Sequence, residues 1–483
     1  MMSNEEQAYV KKLEDTIISL QKIVDSQAAQ IAKLTAYIAE LERRLGMNST
    51  NSSKPPSSDG LNKPKPKSLR KPSGKKPGGQ KGHKGATLSL PHDPDRVIEC
   101  RPSECAGCPN NGICKECVKE KRYLVDIKIS TVVHEYDQIE CVCAHNDNKP
   151  VCGTFPQNIT GTKQYGSTVK ALIVALSADC TVSINRVHSL LTTMTGLPIS
   201  TGFVQNTIAS FAQKLDPSIA AIKEALVVAP VLHADETGMR VNKKLAWLHS
   251  ASNSLYTYQT VSEKRGTVGM NDADILPRYQ GALVHDCWQP YWAFDKVDHA
   301  LCCAHIMREL QAEQDNSPGA TWAQELKDIL LAAKQFKEAL QAEGRNEATQ
   351  EEMDSFKADW LDEIQQGMLR HPVPHKEPGK RGRVKKGKTR CLLERLEKFT
   401  EEIFAFLRRF DVPFDNNQAE RDVRHAKVKL KVAGCFRTLI GAQNYAKICS
   451  VLSTLKKQHQ NVITSIAKIF ESNFSLNLVV ATE

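Results

Sequence analysis

No stretch of this chain approaches the ~18 consecutive apolar residues of a membrane-spanning helix, and its start, MMSNEEQAYVKKLEDTIISL, mixes charges into its hydrophobic residues where a leader would be apolar. Both absences point to a cytoplasmic protein without a membrane partner. Net charge is nearly lacking too, except in one place. The whole chain carries +10, and Asn48 to Leu90, with ten Lys or Arg against Asp59 alone, supplies +9 of it. Such a block suggests a polyanionic partner, nucleic acid before lipid; a solvated linker is the alternative. Without a secretion leader, a disulfide framework is disfavoured. The fifteen cysteines, eight of them between Cys100 and Cys152, read instead as metal ligands where they cluster.

What is present divides the 483 residues into several units, since one domain takes roughly 150 residues. Val10, Ile17, Val24, Ile31, Ile38 and Leu45 occupy one heptad position, and Leu13, Leu20, Leu34 and Leu41 the other, interrupted by Gln27. β-Branched residues at a with Leu at d favour a parallel two-stranded coiled coil, so residues 5–46 are expected to dimerise the chain. An amphipathic helix packed on its own chain is the alternative. Residues 47–95, rich in Ser, Pro, Gly and Lys, read as a disordered basic linker that neutralises phosphates without reading sequence. Residues 96–156 read as a structural zinc module. Cys105 and Cys108 form one pair and Cys141 and Cys143 the other, with a hairpin expected over Tyr123–Ile139; Cys100, Cys114, Cys117 and Cys152 are alternative ligands, and two zinc ions are an option. Residues 157–225 read as helical. Ile184–Met194, a turn, and Ser200–Leu215 have the form of a helix-turn-helix or a plain helical hairpin; Ser200 is the expected N-cap, with Gln205 and Asn206 placed to reach bases.

After Pro230, strand-like runs and turns give the order β-β-β-α-β-α-β, which matches a ribonuclease-H-like mixed sheet. That fold puts Asp235 on the first strand and Asp286 at the end of the fourth, side by side. Two carboxylates so close repel, and bound Mg²⁺ is the usual way to keep both ionised. For Glu420 two readings compete. It completes a metal site, or it is the N3 glutamate of a capping box begun by Asn417.

The segments Asn51-Ser-Ser-Lys-Pro-Pro-Ser-Ser-Asp, Gly79-Gln-Lys-Gly-His-Lys-Gly, His233-Ala-Asp-Glu-Thr, Asp286-Cys-Trp-Gln-Pro-Tyr and Asn416-Asn-Gln-Ala-Glu-Arg stand in this order, followed by Gly434-Cys-Phe-Arg-Thr and Gly441-Ala-Gln-Asn-Tyr. In these the chain resembles transposases of the insertion sequence 66 family over nearly its whole length. The resemblance implies that Asp235, Asp286 and Glu420 form a catalytic triad binding Mg²⁺ or Mn²⁺. It also implies a catalytic core over 226–440 with a helical insertion at about 304–411, followed by a C-terminal helical segment, 441–483. The whole would be a multidomain α+β protein: coiled coil, zinc-binding module, helix-turn-helix-like region and ribonuclease-H-like core. Cys302 and His305 resemble a Cys-x-x-His pair of related transposases, read here as a structural contact, while the tight Cys141-Val-Cys143 spacing departs from the family's usual pattern.

The activity implied is metal-dependent strand cleavage at the element ends, freeing a 3′-hydroxyl that then attacks target DNA. Partners would be the terminal inverted repeats and target DNA, a second copy of the chain, and small accessory proteins of the same element, at the bacterial nucleoid. Lys380, Arg381, Arg383, Lys385 and Lys386, and on the helix after Glu420 the residues Arg421, Arg424, Lys427, Lys429 and Lys431, are the expected phosphate contacts, a solvated helix face being the alternative for the second group. Two other readings compete: a non-enzymatic zinc and coiled-coil DNA-binding regulator, and a ribonuclease-H-like nuclease that hydrolyses without joining strands.

Overall fold

A run of helices precedes a five-stranded sheet in the computed structural model, which describes residues 4–48, 51–52, 88–103, 109, 117–142, 145, 149–317, 319–375 and 384–472. The chain forms two compact units, one of residues 1–66, 156–189 and 199–483, the other of 67–155 and 190–198. The first opens with helix α1 (Asn4–Gly46), whose apolar a and d residues from Val10 to Leu45 are all exposed. Its C-terminal end is held by Glu40, which accepts from Lys388 Nζ at 2.7 Å.

In the second unit the only ladder among the described residues pairs β1 (Glu140–Val142) antiparallel with β2 (Pro150–Cys152), Cys141 opposite Val151. The hairpin expected over Tyr123–Ile139 is absent. That segment forms no strand ladder, its Ile139 carbonyl accepting from the Gly153 N–H at 2.9 Å, and Leu124, Ile127 and Val133 are exposed. β-Branched composition favours a strand only where a partner supplies the ladder.

The helices α2 (Ser167–Val174, continued by a π turn to Asp179), α3 (Ile184–Thr195), α4 (Thr201–Lys214) and α5 (Asp216–Val227) come next. Ser200 caps α4, its Oγ accepting from the Phe203 N–H at 3.1 Å, and Gln205 and Asn206 lie exposed on that helix. The sheet follows as β3 (Val231–Val241), β4 (Lys244–Ser252), β5 (Thr257–Ser262), α6 (Thr267–Ala273), β6 (Ala282–His285) and β7 (Asp298–Leu301), in spatial order β5-β4-β3-β6-β7. The first three strands are antiparallel and the last two run parallel to β3. A two-residue turn, Asn242-Lys243, joins β3 to β4 with both residues at positive φ, the backbone twist that tight hairpins require. Between β6 and β7 the expected α-helix is a single 3₁₀ turn, Gln289–Ala293, in a connection of twelve residues.

The chain then adds α7 (Cys303–Asn316), α8 (Thr321–Ala342), α9 (Gln350–Arg370), α10 (Lys388–Lys398), α11 (Thr400–Ile403) and α12 (Ala405–Arg408) before α13 (Asn417–Ala433), α14 (Leu439–Lys457) and α15 (Val462–Phe470). Helices α7–α12 pack their own core, with Trp322, Trp360 and Phe404, on the Ala282, Val284 and Leu301 side chains of β6 and β7. A separate core joins β3–β5 to α2, α4–α6 and α13–α15. Each such fully buried large side chain stabilises by about 1.5–3 kcal/mol. The edge strand β5 is covered by α14, whose Ser450 and Thr454 hydroxyls accept from the backbone N–H groups of Gln259 (2.8 Å) and Thr257 (3.1 Å).

Candidate active site

β3 and β6 are parallel neighbours with His233 opposite Val284, so continuing the register two residues sets Asp235 level with Asp286. Gly281, which leads into β6, admits no side chain, since a Cβ there would lie 2.8 Å from the carbonyl oxygens of both Ala229 and Pro230. Asp286 leaves the strand into Cys287, a non-glycine residue at φ +68°, and its Oδ1 accepts from the Trp288 N–H at 3.0 Å. Asp235 Oδ1 accepts from the Glu236 N–H at 2.8 Å.

Alternate residues of a strand share a face, so Asp235 lies on the side of His233, and that side meets α13. There Asn416 is buried and fully engaged. Its Oδ1 bonds His233 Nδ1 at 2.8 Å, its Nδ2 donates to the Ala234 carbonyl at 2.8 Å, and its backbone N–H donates to Cys302 Sγ at 3.1 Å. Four residues on, Glu420 falls on the same helix face, near enough to Asp235 for its charge to act on that carboxyl.

The capping reading of Glu420 is not what the structure holds. Asn416 is the N-cap of α13, so Glu420 stands one place beyond N3, and it is Asp415 Oδ1 that accepts the free Asn417 N–H at 3.0 Å. Asp422 is occupied as well, with Lys457 Nζ at 2.8 Å and Thr257 Oγ1 at 3.4 Å. Glu420 Oε1 instead faces α7, 3.3 Å from Arg308 Nη2 and 3.8 Å from His305 Nε2. The His305 Nδ1 is buried without a hydrogen-bond partner among the described residues. Cys302 contributes its sulfur to Asn416 and, from its burial, a thiol pushed up to about 12.

Burial first, and then the charges of Glu236, Asp286 and Glu420, raise the Asp235 carboxyl well above the usual range. A buried acid among like charges is a donor set that favours a hard divalent cation. Among the described residues no three His, Cys, Asp or Glu side chains converge closely enough to hold a metal in the present arrangement, with Glu420 turned to Arg308.

Two devices that steady the aspartates escape a reading of the sequence. On the opposite face of β3, Glu236 accepts from Arg265 Nη2 at 2.7 Å and from the Tyr291 hydroxyl at 2.8 Å, and the Arg265 guanidinium lies between the rings of Trp247 (4.4 Å) and Trp288 (3.9 Å). This brace ties β3 to the loop after Asp286. Beside it, the Cys287 N–H donates to His285 Nδ1 at 3.2 Å, leaving His285 Nε2 to donate to His299 Nδ1 at 3.0 Å and His299 Nε2 to the Phe294 carbonyl at 3.1 Å. Burial holds His285 well below its ordinary pKa, hence neutral, as that directed chain requires.

The expected phosphate contacts divide. Arg421 and Arg424 are exposed on α13 and Lys385 is exposed before α10. Lys386 is paired with Glu394 at 2.6 Å, and Lys427 donates to the Gly238 carbonyl of β3 at 2.9 Å. Lys429 is buried, bonding the Ser177 and Val182 carbonyls at 2.9 Å each, and so has a structural role where a phosphate contact was expected. Lys431 is exposed. Lys380, Arg381 and Arg383 lie outside the described residues, as do Cys105, Cys108 and Cys143 of the expected zinc ligands. Cys141 is exposed on β1, and Cys152 Sγ lies 3.3 Å from Glu140 Oε2.

Compared with known families, residues 162–444 match the model of the Transposase IS66 family, and residues 1–89 match a family of unknown function (DUF6444). No curated protein matches the chain.

Proposed function

This chain belongs to the IS66 family of transposases, and from that premise we propose that it cuts and joins DNA strands at a site built from Asp235, Asp286 and Glu420. The observation that carries the reading is the parallel β3–β6 pairing, which sets the two aspartates level while Asn416 docks the helix bearing Glu420 on the same strand. The strand order β5-β4-β3-β6-β7, three antiparallel and two parallel, supports a ribonuclease-H-like core.

Asp235, Asp286 and Glu420 would hold Mg²⁺ or Mn²⁺, which supplies charge stabilisation for in-line displacement at phosphorus and makes water or a 3′-hydroxyl more acidic. The chain's part is to hold these oxygens where the charge of the reacting phosphate develops. The Glu236–Arg265–Tyr291 brace and the His285–His299 chain fix the loop leaving Asp286, so little reorganisation remains for the reaction itself. Arg421, Arg424 and Lys385, exposed and basic, suit the DNA backbone, and by sequence so do Lys380, Arg381 and Arg383. The heptad seam of α1 suits a second copy of the chain, and the cysteine-rich stretch suits a structural zinc on Cys105, Cys108, Cys141 and Cys143.

The test pairs strand cleavage in Mg²⁺ or Mn²⁺ with melting temperature. Asp235→Asn, Asp286→Asn and Glu420→Gln should each lose nearly all cleavage, by 10²-fold or more, while melting within a few degrees of the parent. A Glu420→Gln protein that cleaves normally beside two dead aspartate variants removes Glu420 from the site. A strand-transfer assay with a free 3′-hydroxyl separates a transposase from a nuclease that only hydrolyses.

A further inference from the structure

Arg308 has one ion-pair partner among the described residues, and that partner is Glu420. It stands three residues after His305 on α7, so both side chains reach toward α13 from one helix face. The neighbouring Glu309 is engaged elsewhere, with Arg395. At the position where the third carboxylate should complete a cation site, then, its oxygen is already neutralised by a guanidinium.

We propose that Arg308 is a positioning residue that keeps Glu420 on α7 while no metal is bound, and that a divalent cation must take this carboxylate from it. The proposal rests on the metal-dependent reading of the site. Its geometric basis is that Glu420 Oε1 lies 3.3 Å from Arg308 Nη2 while no three ligating side chains converge among the described residues. Arg308 therefore acts in two ways against a cation: it occupies a ligand oxygen, and it places a fixed positive charge beside the site. Metal entry leaves Arg308 without its partner at the edge of the site, where a DNA phosphate is the chemically matched replacement.

A unit positive charge beside a divalent ion opposes its binding, an effect on the order of tenfold in affinity even in water's dielectric. Removing the charge should therefore tighten metal binding by about tenfold. The measurement is calorimetric titration of the full chain with MnCl₂, without DNA, for the parent, Arg308→Gln, Arg308→Lys and Asp235→Asn. Tighter binding by Arg308→Gln, with Arg308→Lys near the parent because it keeps the charge, supports the proposal. Equal or weaker binding by Arg308→Gln, with Asp235→Asn abolishing it, overturns the role of Arg308 and leaves the metal site standing. No binding by any protein overturns both. Melting temperatures in EDTA guard against misfolding, and the Arg308→Lys protein tests the same idea should Arg308→Gln not fold.

Discussion

Asn416 is the residue that docks the start of the helix bearing Glu420, the third carboxylate of the proposed triad, on β3. Asn416→Ala leaves the His233 ring and the Ala234 carbonyl without partners at buried positions, a loss of about 3 kcal/mol. Cleavage should fall together with stability, and should remain low at temperatures where the variant is fully folded, because α13 is no longer registered on β3. Urea unfolding and cleavage at 25 °C check this, and full activity in the folded variant would break the link between docking and catalysis. His425 gives a prediction of another kind. Burial lowers it to about 4 while its nitrogens bond Tyr445 and Gln259, so it is neutral in the fold and gains a proton on unfolding. Its folded pKa lies below the unfolded 6.5, so the stability tied to it is complete above that value and is lost as pH falls toward 4. Relative to the parent, His425→Gln should therefore gain roughly 3 kcal/mol between pH 6.5 and 4. A difference independent of pH would contradict it. Positions such as Asp235 and Asp286 were readable in the sequence because each ends or occupies an apolar strand run. The brace of Glu236 was not. Its partners Arg265 and Tyr291 are 29 and 55 residues away, and no local pattern pairs residues at such distances.

Elements with a strong internal period were legible for the same reason. The α1 heptads mark a helix whatever covers it, and β3 and β4 are apolar runs joined by a two-residue turn. Where the element depended on a distant partner, the pattern misled. Tyr123–Ile139 has the composition of strands and no ladder, and the connection from β6 to β7 coils only once, in the 3₁₀ turn Gln289–Ala293. The exposed seam of α1 makes a further prediction at this scale. Leu20→Glu with Leu34→Glu puts charge into two d positions, both exposed in the single chain, so the folded catalytic unit should be unaffected while the mass by light scattering halves. An unchanged mass would place self-association elsewhere.

At the scale of the molecule, the cysteine-rich stretch lies in a different unit from the carboxylates. Cys105→Ser with Cys108→Ser should lower zinc by elemental analysis and weaken DNA binding, yet spare hydrolysis of a short, saturating DNA substrate by the catalytic unit. Unaltered zinc in that double variant would refute the assignment. The helices α7–α12 separate β7 from α13, so Glu420 follows Asp286 by 134 residues. During synthesis at ~5–20 residues per second, this spacing amounts to about 7 to 27 seconds. The emerging polypeptide thus carries both aspartates well before the glutamate is made, and a message truncated anywhere in that interval yields a product without Glu420, which on the proposed triad would not cleave DNA.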